Sequence, residues 1–236
     1  MLSGIGPAAH LKDKGLPVLL DKAAVGEDLQ DHIDFVASWE TGSLDFIGDS
    51  LSGTWKMAKA VIEHRLKRTG IMTTCFAEAG GFWRTNPDLP APDIQYHFVP
   101  AMLEDHGREK VSGHGFSIHA CVLRPESRGT VRLASANPDD ALLIDPNYLA
   151  AERDRREMRE GLKIGREVLA QPAFRAFHRR EDLPGPGVQT DAELDAFIRE
   201  DASSAYHPCG TARMGADGDG RAVVDLQLRF RGIAGL

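Results

Sequence analysis

The sequence predicts an α+β fold in which an antiparallel sheet is flanked by helices. Three observations predict it. Ile94, Tyr96 and Phe98 alternate with Gln95, His97 and Val99, and Phe116, Ile118, Ala120 and Val122 alternate with Ser117, His119 and Cys121. A period of two belongs to strands, whose successive side chains fall on opposite faces. Between Ala151 and Ala170 the period becomes helical, with Met158, Leu162, Gly165 and Leu169 along one stripe and Ile164 and Val168 beside it. The strands come in a run before this helix instead of alternating with helices, which separates α+β from a parallel α/β sheet.

The remaining elements follow in order. Pro7 suits the first turn of a helix and Gly15 its end, so a short helix lies between them. Pro17 to Leu20 reads as a brief extended stretch, Val25 to His32 as a polar, glycine-containing loop, and Ile33 to Trp39 as a strand. A helix is expected from Leu51 to Arg68, ended by Gly70. Glu78 precedes Ala79-Gly80-Gly81-Phe82, which reads as a tight turn where backbone can approach a neighbour closely. After the Ser127-Arg128-Gly129 turn, Thr130 to Leu133 is another strand. Pro172 ends the long helix, Pro184-Gly185-Pro186-Gly187 is a loop, and Thr190 or Asp191 caps a helix through Leu194, Phe197 and Ile198. From Val224 to Arg231, apolar Val224, Leu226, Leu228 and Phe230 alternate with polar residues, which predicts a half-buried strand. No repeat and no linker composition interrupts the chain, so residues 1–236 are read as one domain.

Composition excludes several function classes. At 236 residues the chain can bury a substantial core, and 24 Gly with 13 Pro point to many loops. A net charge of -7 argues against nucleic acid as a partner, because phosphate binding needs a basic face. Arg153 to Arg180 carries nine Lys/Arg, but acids interleave them, so a solvated helix face is the reading. Cys75, Cys121 and Cys209 are odd in number and form no C-x-x-C pair, which disfavours a disulfide scaffold and a zinc site and fits a reducing, cytoplasmic setting. No stretch approaches the ~20 apolar residues of a transmembrane helix, and the start lacks a signal-peptide pattern. The turn-rich opening, and a strand that leads through a Gly232-Ile233-Ala234-Gly235 turn to Leu236, where the next element would open, suggest truncation at both ends.

Four segments are candidates for chemistry. Gly4-Ile5-Gly6-Pro7-Ala8-Ala9 has the letters of G-x-G-x-x-G/A but lacks the preceding buried strand that a dinucleotide site requires. His106, His114, His119 and Cys121 invite a metal reading, yet only His119 and Cys121 share a strand face, so no metal site is expected. Glu78 with its glycines is the third. The fourth, Tyr206-His207-Pro208-Cys209-Gly210-Thr211-Ala212-Arg213-Met214-Gly215, is the strongest. Pro208 biases His207 towards an extended backbone, and a histidine in a stiff loop suits proton transfer near neutral pH, its unperturbed pKa being about 6.5. The competing reading of His207 is a hydrogen-bonded loop histidine. Arg213 either pairs with a carboxylate or orders the loop, and Cys209 is poorly aimed to act as a nucleophile with His207.

The motifs taken together resemble the glucose–methanol–choline oxidoreductases, in particular the choline-dehydrogenase-like alcohol dehydrogenases. Leu2-Ser3-Gly4-Ile5-Gly6-Pro7 resembles the tail of a family signature, and Val25-Gly26-Glu27-Asp28-Leu29-Gln30-Asp31-His32 resembles V-G-x-N-L-Q-D-H, with Asp28 where Asn is usual. Pro92 to Phe98, Pro125 to Gly129, Ile144 to Leu149 and His207 to Gly215 also match, in the family's order. The resemblance implies a substrate-binding carboxy-terminal half that roofs a flavin with its antiparallel sheet. It implies FAD as cofactor, an alcohol as small-molecule substrate, and His207 as the base that takes the alcohol's proton while hydride passes to the flavin. His207 and Pro208 would lie beside the flavin ring. The Rossmann-type FAD-binding half and a second catalytic residue fall outside the chain, so the chain alone is expected to bind FAD poorly and to be inactive. The alternative function is a non-catalytic lid or docking module for a separate flavin subunit. The alcohol itself is not legible, because no aromatic cage for an ammonium group can be assigned among Trp39, Trp55, Trp83 and the phenylalanines.

Overall fold

The computed structural model describes residues 1–103 and 111–235. His106 and Leu236, both singled out above, lie outside the described residues. In chain order the elements are β1 (Ile5–Gly6), α1 (Ala8–Asp13), β2 (Leu20–Asp21), β3 (Ile33–Thr41), β4 (Gly48–Asp49), α2 (Leu51–Lys67), β5 (Ala79–Trp83), β6 (Ile94–Val99) and β7 (Gly113–Val122). Then come β8 (Thr130–Arg132), β9 (Leu143–Asp145), α3 (Glu152–Leu169), β10 (Arg180–Leu183), α4 (Asp191–Asp201) and β11 (Ser203–Ser204). The chain divides into two compact units: Met1–His32, Pro125–Asp154 and Ser204–Leu236 form one, and Ile33–Arg124 with Arg155–Ser203 form the other. Each is assembled from segments distant in sequence, so no linker composition marks the division.

The Ile33–Arg124 unit holds the sheet, whose continuous path runs β10–β3–β7–β6–β5 with antiparallel neighbours. On one face the register aligns Phe35 with Ala120 and Tyr96, and Ala37 with Ile118 and Phe98. Against that face packs α3: an added Cβ on Gly161 would sit 3.4 Å from Ile94 and one on Gly165 3.6 Å from Ile118, so both glycines let the helix lie close. The Tyr96 hydroxyl reaches across to donate to the Gly161 carbonyl at 2.8 Å. Met158, Leu162 and Leu169 are fully buried, as the helical stripe requires. Thr190 caps α4 in a full capping box with Glu193.

Two expectations are corrected. Ala79-Gly80-Gly81-Phe82 is not a turn but most of β5, paired with β6; a Cβ on Gly80 would lie 2.6 Å from the Tyr96 carbonyl oxygen, so the glycine serves strand approach. Val224 to Arg231 is not a strand. Val224 makes only single bridges, to Met214 and Phe230. The Asp225 carboxylate accepts the backbone N–H groups of Gln227 at 2.8 Å and Arg229 at 3.0 Å, which wraps the chain into a turn. Leu228 takes a φ of 64°, and both it and Leu226 are exposed.

The Met1–His32 unit is held by backbone pairing between loops. Gln30 and Cys209 exchange two N–H···O bonds of 2.8 Å, and Leu29 and Gly129 exchange two of 2.9 Å. The β8–β9 pair stands beside them in sequence order, with Val131 opposite Ile144. The Pro125–Gly129 turn is fixed by Asp154, which accepts the N–H groups of Glu126 and Ser127, each at 2.8 Å.

Candidate active site

The loop pairing in the first unit brings His207 to the segment Val25–His32, although the two are far apart in sequence. Gly210 makes this approach feasible: its φ is +104° and an added Cβ would fall 2.1 Å from the Asp28 carbonyl oxygen. Asp28, at the position where the family pattern has Asn, adopts a φ of 59°, a left-handed conformation that Asn and Asp both tolerate. Its buried carboxylate is paired with Arg221. Arg213 pairs with Asp219 at 2.7 Å, so of its two readings the carboxylate partner is the one observed.

Asp31 is the anchor of the site. Its carboxylate is buried and accepts three hydrogen bonds: the backbone N–H of His207 at 2.9 Å, the Tyr148 hydroxyl at 2.5 Å and the Ser204 hydroxyl. Burial and then the bond to Asp31 push the Tyr148 phenol above the ordinary tyrosine value, so it stays protonated and donates. Tyr206, next to His207, is held at a φ of 63°.

The His207 ring is exposed, and its Nδ1 lies 2.9 Å from the Nδ1 of His32. The two imidazoles meet edge to face, with centroids 4.9 Å apart and planes at 84°. That leaves Nε2 of His207 for other chemistry. Beside the loop is a cavity of about 410 Å³ whose lining includes Asp31, Ile144, Tyr148, Pro208, Cys209 and Thr211. Its size falls in the range of about 300–1,000 Å³ usual for small-molecule sites. Leu142 and Ile144 on its rim are half exposed, giving it an apolar wall.

The other candidates are dispersed. Ala8 N–H, at the start of the Gly4-Ile5-Gly6 segment's helix, donates to Asp21 Oδ1 at 3.0 Å. An acid thus stands where a dinucleotide phosphate would be required. His114 is bonded through both nitrogens, to the Phe46 carbonyl at 2.8 Å and Ser50 Oγ at 2.7 Å. His119 pairs with Asp34 at 3.0 Å on a buried strand face. Among the described residues no cluster of three metal-binding side chains forms, and no helix is long and apolar enough to cross a membrane. Glu78 is exposed at the start of β5. Sequence reasoning missed Asp31, His32 and Tyr148 as site residues; the signal was their place in the motif segments Val25–His32 and Ile144–Leu149.

The fold recurs as part of a solved oxidase. A formate oxidase of Aspergillus oryzae RIB40, in a study of its FAD modification, superposes with a TM-score of 0.87 at 25% identity, over 98% of this chain and 45% of the oxidase. Residues 125–236 match the sequence model described as GMC oxidoreductase. It is 42% identical to an alcohol dehydrogenase (acceptor) of Pseudomonas putida, over 99% of this chain and 42% of the relative. It is 41% identical to an oxygen-dependent choline dehydrogenase of Brucella ovis, over 100% of this chain and 43% of the relative. The chain spans less than half the length of these relatives.

Proposed function

We propose that this chain supplies the substrate side and the proton acceptor of an FAD-dependent oxidoreductase acting on the CH–OH group of an alcohol. The observation that carries the proposal is His207: an exposed imidazole on a loop clamped to a buried carboxylate, next to Pro208, which with Cys209 lines a cavity of about 410 Å³. The names of the two dehydrogenases and of the formate oxidase support the reaction class and the cofactor. The residues present suit the ring end of a flavin, with His207 and Pro208 as its neighbours. They do not suit its pyrophosphate, because Asp21 takes the helix start and the cavity is too small for a whole dinucleotide. The phosphate-bearing half must therefore be held elsewhere, and the 236-residue chain by itself binds FAD poorly.

When bound, FAD accepts the hydride from the alcohol carbon. His207 takes the hydroxyl proton at Nε2, the nitrogen that His32 does not engage, as the carbonyl bond of the product forms. Asp31 fixes the base through its backbone N–H. An alcohol as the small-molecule partner follows from this chemistry.

The test is a panel of alcohols offered, with FAD and an electron-accepting dye, to the chain joined behind a flavin-binding amino-terminal half. Alcohol-dependent dye reduction is expected from the joined protein and none from the chain alone. A purified chain that carries stoichiometric yellow flavin contradicts the division of labour. Alcohol binding without dye reduction in the joined protein would identify a non-catalytic substrate lid instead.

A further inference from the structure

We infer that His32 is the positioning residue of this site: its Nδ1 accepts the Nδ1–H of His207 and so keeps the Nε2 of His207 free of hydrogen. The inference rests on His207 acting as the base. Two imidazoles can meet nitrogen to nitrogen at 2.9 Å only when one ring brings a hydrogen and the other a lone pair. Two neutral rings satisfy this in two ways. If His32 were the donor, His207 would carry its hydrogen on Nε2 and could gain a proton only at Nδ1, breaking the contact. If His207 is the donor, Nε2 holds a lone pair, a proton can enter there, and the Nδ1–H···Nδ1 bond persists and strengthens as His207 becomes cationic. One proton then moves at one atom while nothing else rearranges.

The backbone supports the arrangement. The His32 carbonyl accepts the Ala205 N–H at 2.9 Å, two residues before His207, and the preceding residue Asp31 accepts the His207 N–H. The rings are therefore delivered to each other by main-chain bonds on both partners. The ring centroids lie 4.9 Å apart with planes at 84°, so the two rings meet at the nitrogens and do not stack. The carboxylate of Asp31 cannot select the tautomer directly, since its three bonds go to the backbone of His207, Tyr148 and Ser204.

The experiment is a tautomer measurement by NMR on the whole chain, its histidines labelled with the heavy nitrogen isotope, at a pH where both rings are neutral. His207 is expected with hydrogen on Nδ1 and none on Nε2, and His32 with the reverse. In His32→Ala the His207 ring should move to the commoner Nε2–H form, and His32→Asn, whose amide oxygen can accept, should restore it. Hydrogen on Nε2 of His207 in the unaltered chain, or a tautomer unmoved by His32→Ala, overturns the inference. In the flavin-bearing joined protein, His32→Ala should lower kcat on the order of tenfold with KM little changed, with recovery in His32→Asn. The tautomer is read without flavin, so a failure of alcohol oxidation and a failure of this positioning are distinguishable.

Discussion

The Asp31 carboxylate and the backbone N–H of His207 are joined at 2.9 Å across 176 positions of sequence. This bond makes the site a property of the folded unit and not of the His207 loop alone. Asp31→Ala leaves the His207 N–H and the Tyr148 hydroxyl without their acceptor and should cost about 3 kcal/mol, measured by urea unfolding. Asp31→Asn keeps the shape and one acceptor oxygen, and should cost about 1–2 kcal/mol. A midpoint unchanged in Asp31→Ala would mean that the carboxylate does not hold the loop.

Gly210 should tolerate no side chain. Its positive φ and the 2.1 Å approach of a Cβ to the Asp28 carbonyl oxygen mean that backbone must move. Gly210→Ala should lose about 2 kcal/mol or more of stability, and the His207 ring resonances should shift with it. A variant with native stability and unshifted His207 signals would show that the two loops need not pack as described.

High pH should unfold the protein through two phenols. Burial, then the negative charges of Asp93 and Glu167, push Tyr96 above the ordinary value, and burial with Asp31 does the same for Tyr148. An unfolded tyrosine ionises near about 10. Both folded values are raised, so the folded state holds more protons above that pH. Their stabilisation is complete below pH ~10 and is lost as pH rises towards the folded values. Tyr96→Phe and Tyr148→Phe should each flatten the alkaline loss of stability, read from denaturant midpoints across the range. Identical pH profiles in wild type and both variants would count against buried, protonated phenols.

Arg166 ties α3 to the loop that follows β10. Its Nε and one terminal nitrogen grip Glu181 at 2.7 and 3.3 Å, while the guanidinium also donates to the carbonyls of Val188 at 2.8 Å and Gly185 at 3.2 Å. A lysine has one charge centre and cannot span these acceptors. Arg166→Lys should cost about 1–2 kcal/mol and make the Gly185–Val188 loop more open to proteolysis. Unchanged cleavage of that loop would argue that other contacts hold it.

Local periodicity carried much of the fold. The strict alternation in β7 and the stripe on α3 are signals of burial, and the Thr190-to-Glu193 spacing is a cap that acts within one turn. Where local and long-range forces diverged, the sequence misled. Gly80 and Gly81 read as a turn because glycine permits one, but the deciding contact is with Tyr96, fifteen or sixteen positions onward in the next strand. The alternation from Val224 to Arg231 was undone by one side chain, Asp225, whose carboxylate captures two backbone N–H groups. At the site, His207 stood out by its own surroundings in sequence. Asp31, His32 and Tyr148 did not, because a buried acceptor or a ring partner acquires its meaning only when distant loops meet.

The central claim is that His207 removes the alcohol's proton. The most direct measurement is the rate of flavin reduction by an alcohol, in the absence of oxygen, in the flavin-bearing joined protein and its His207→Ala variant. The claim requires reduction to slow about 100-fold or more in the variant, with part of the rate returning as pH rises and the alcohol ionises unaided. Equal rates of flavin reduction in the two proteins would contradict it.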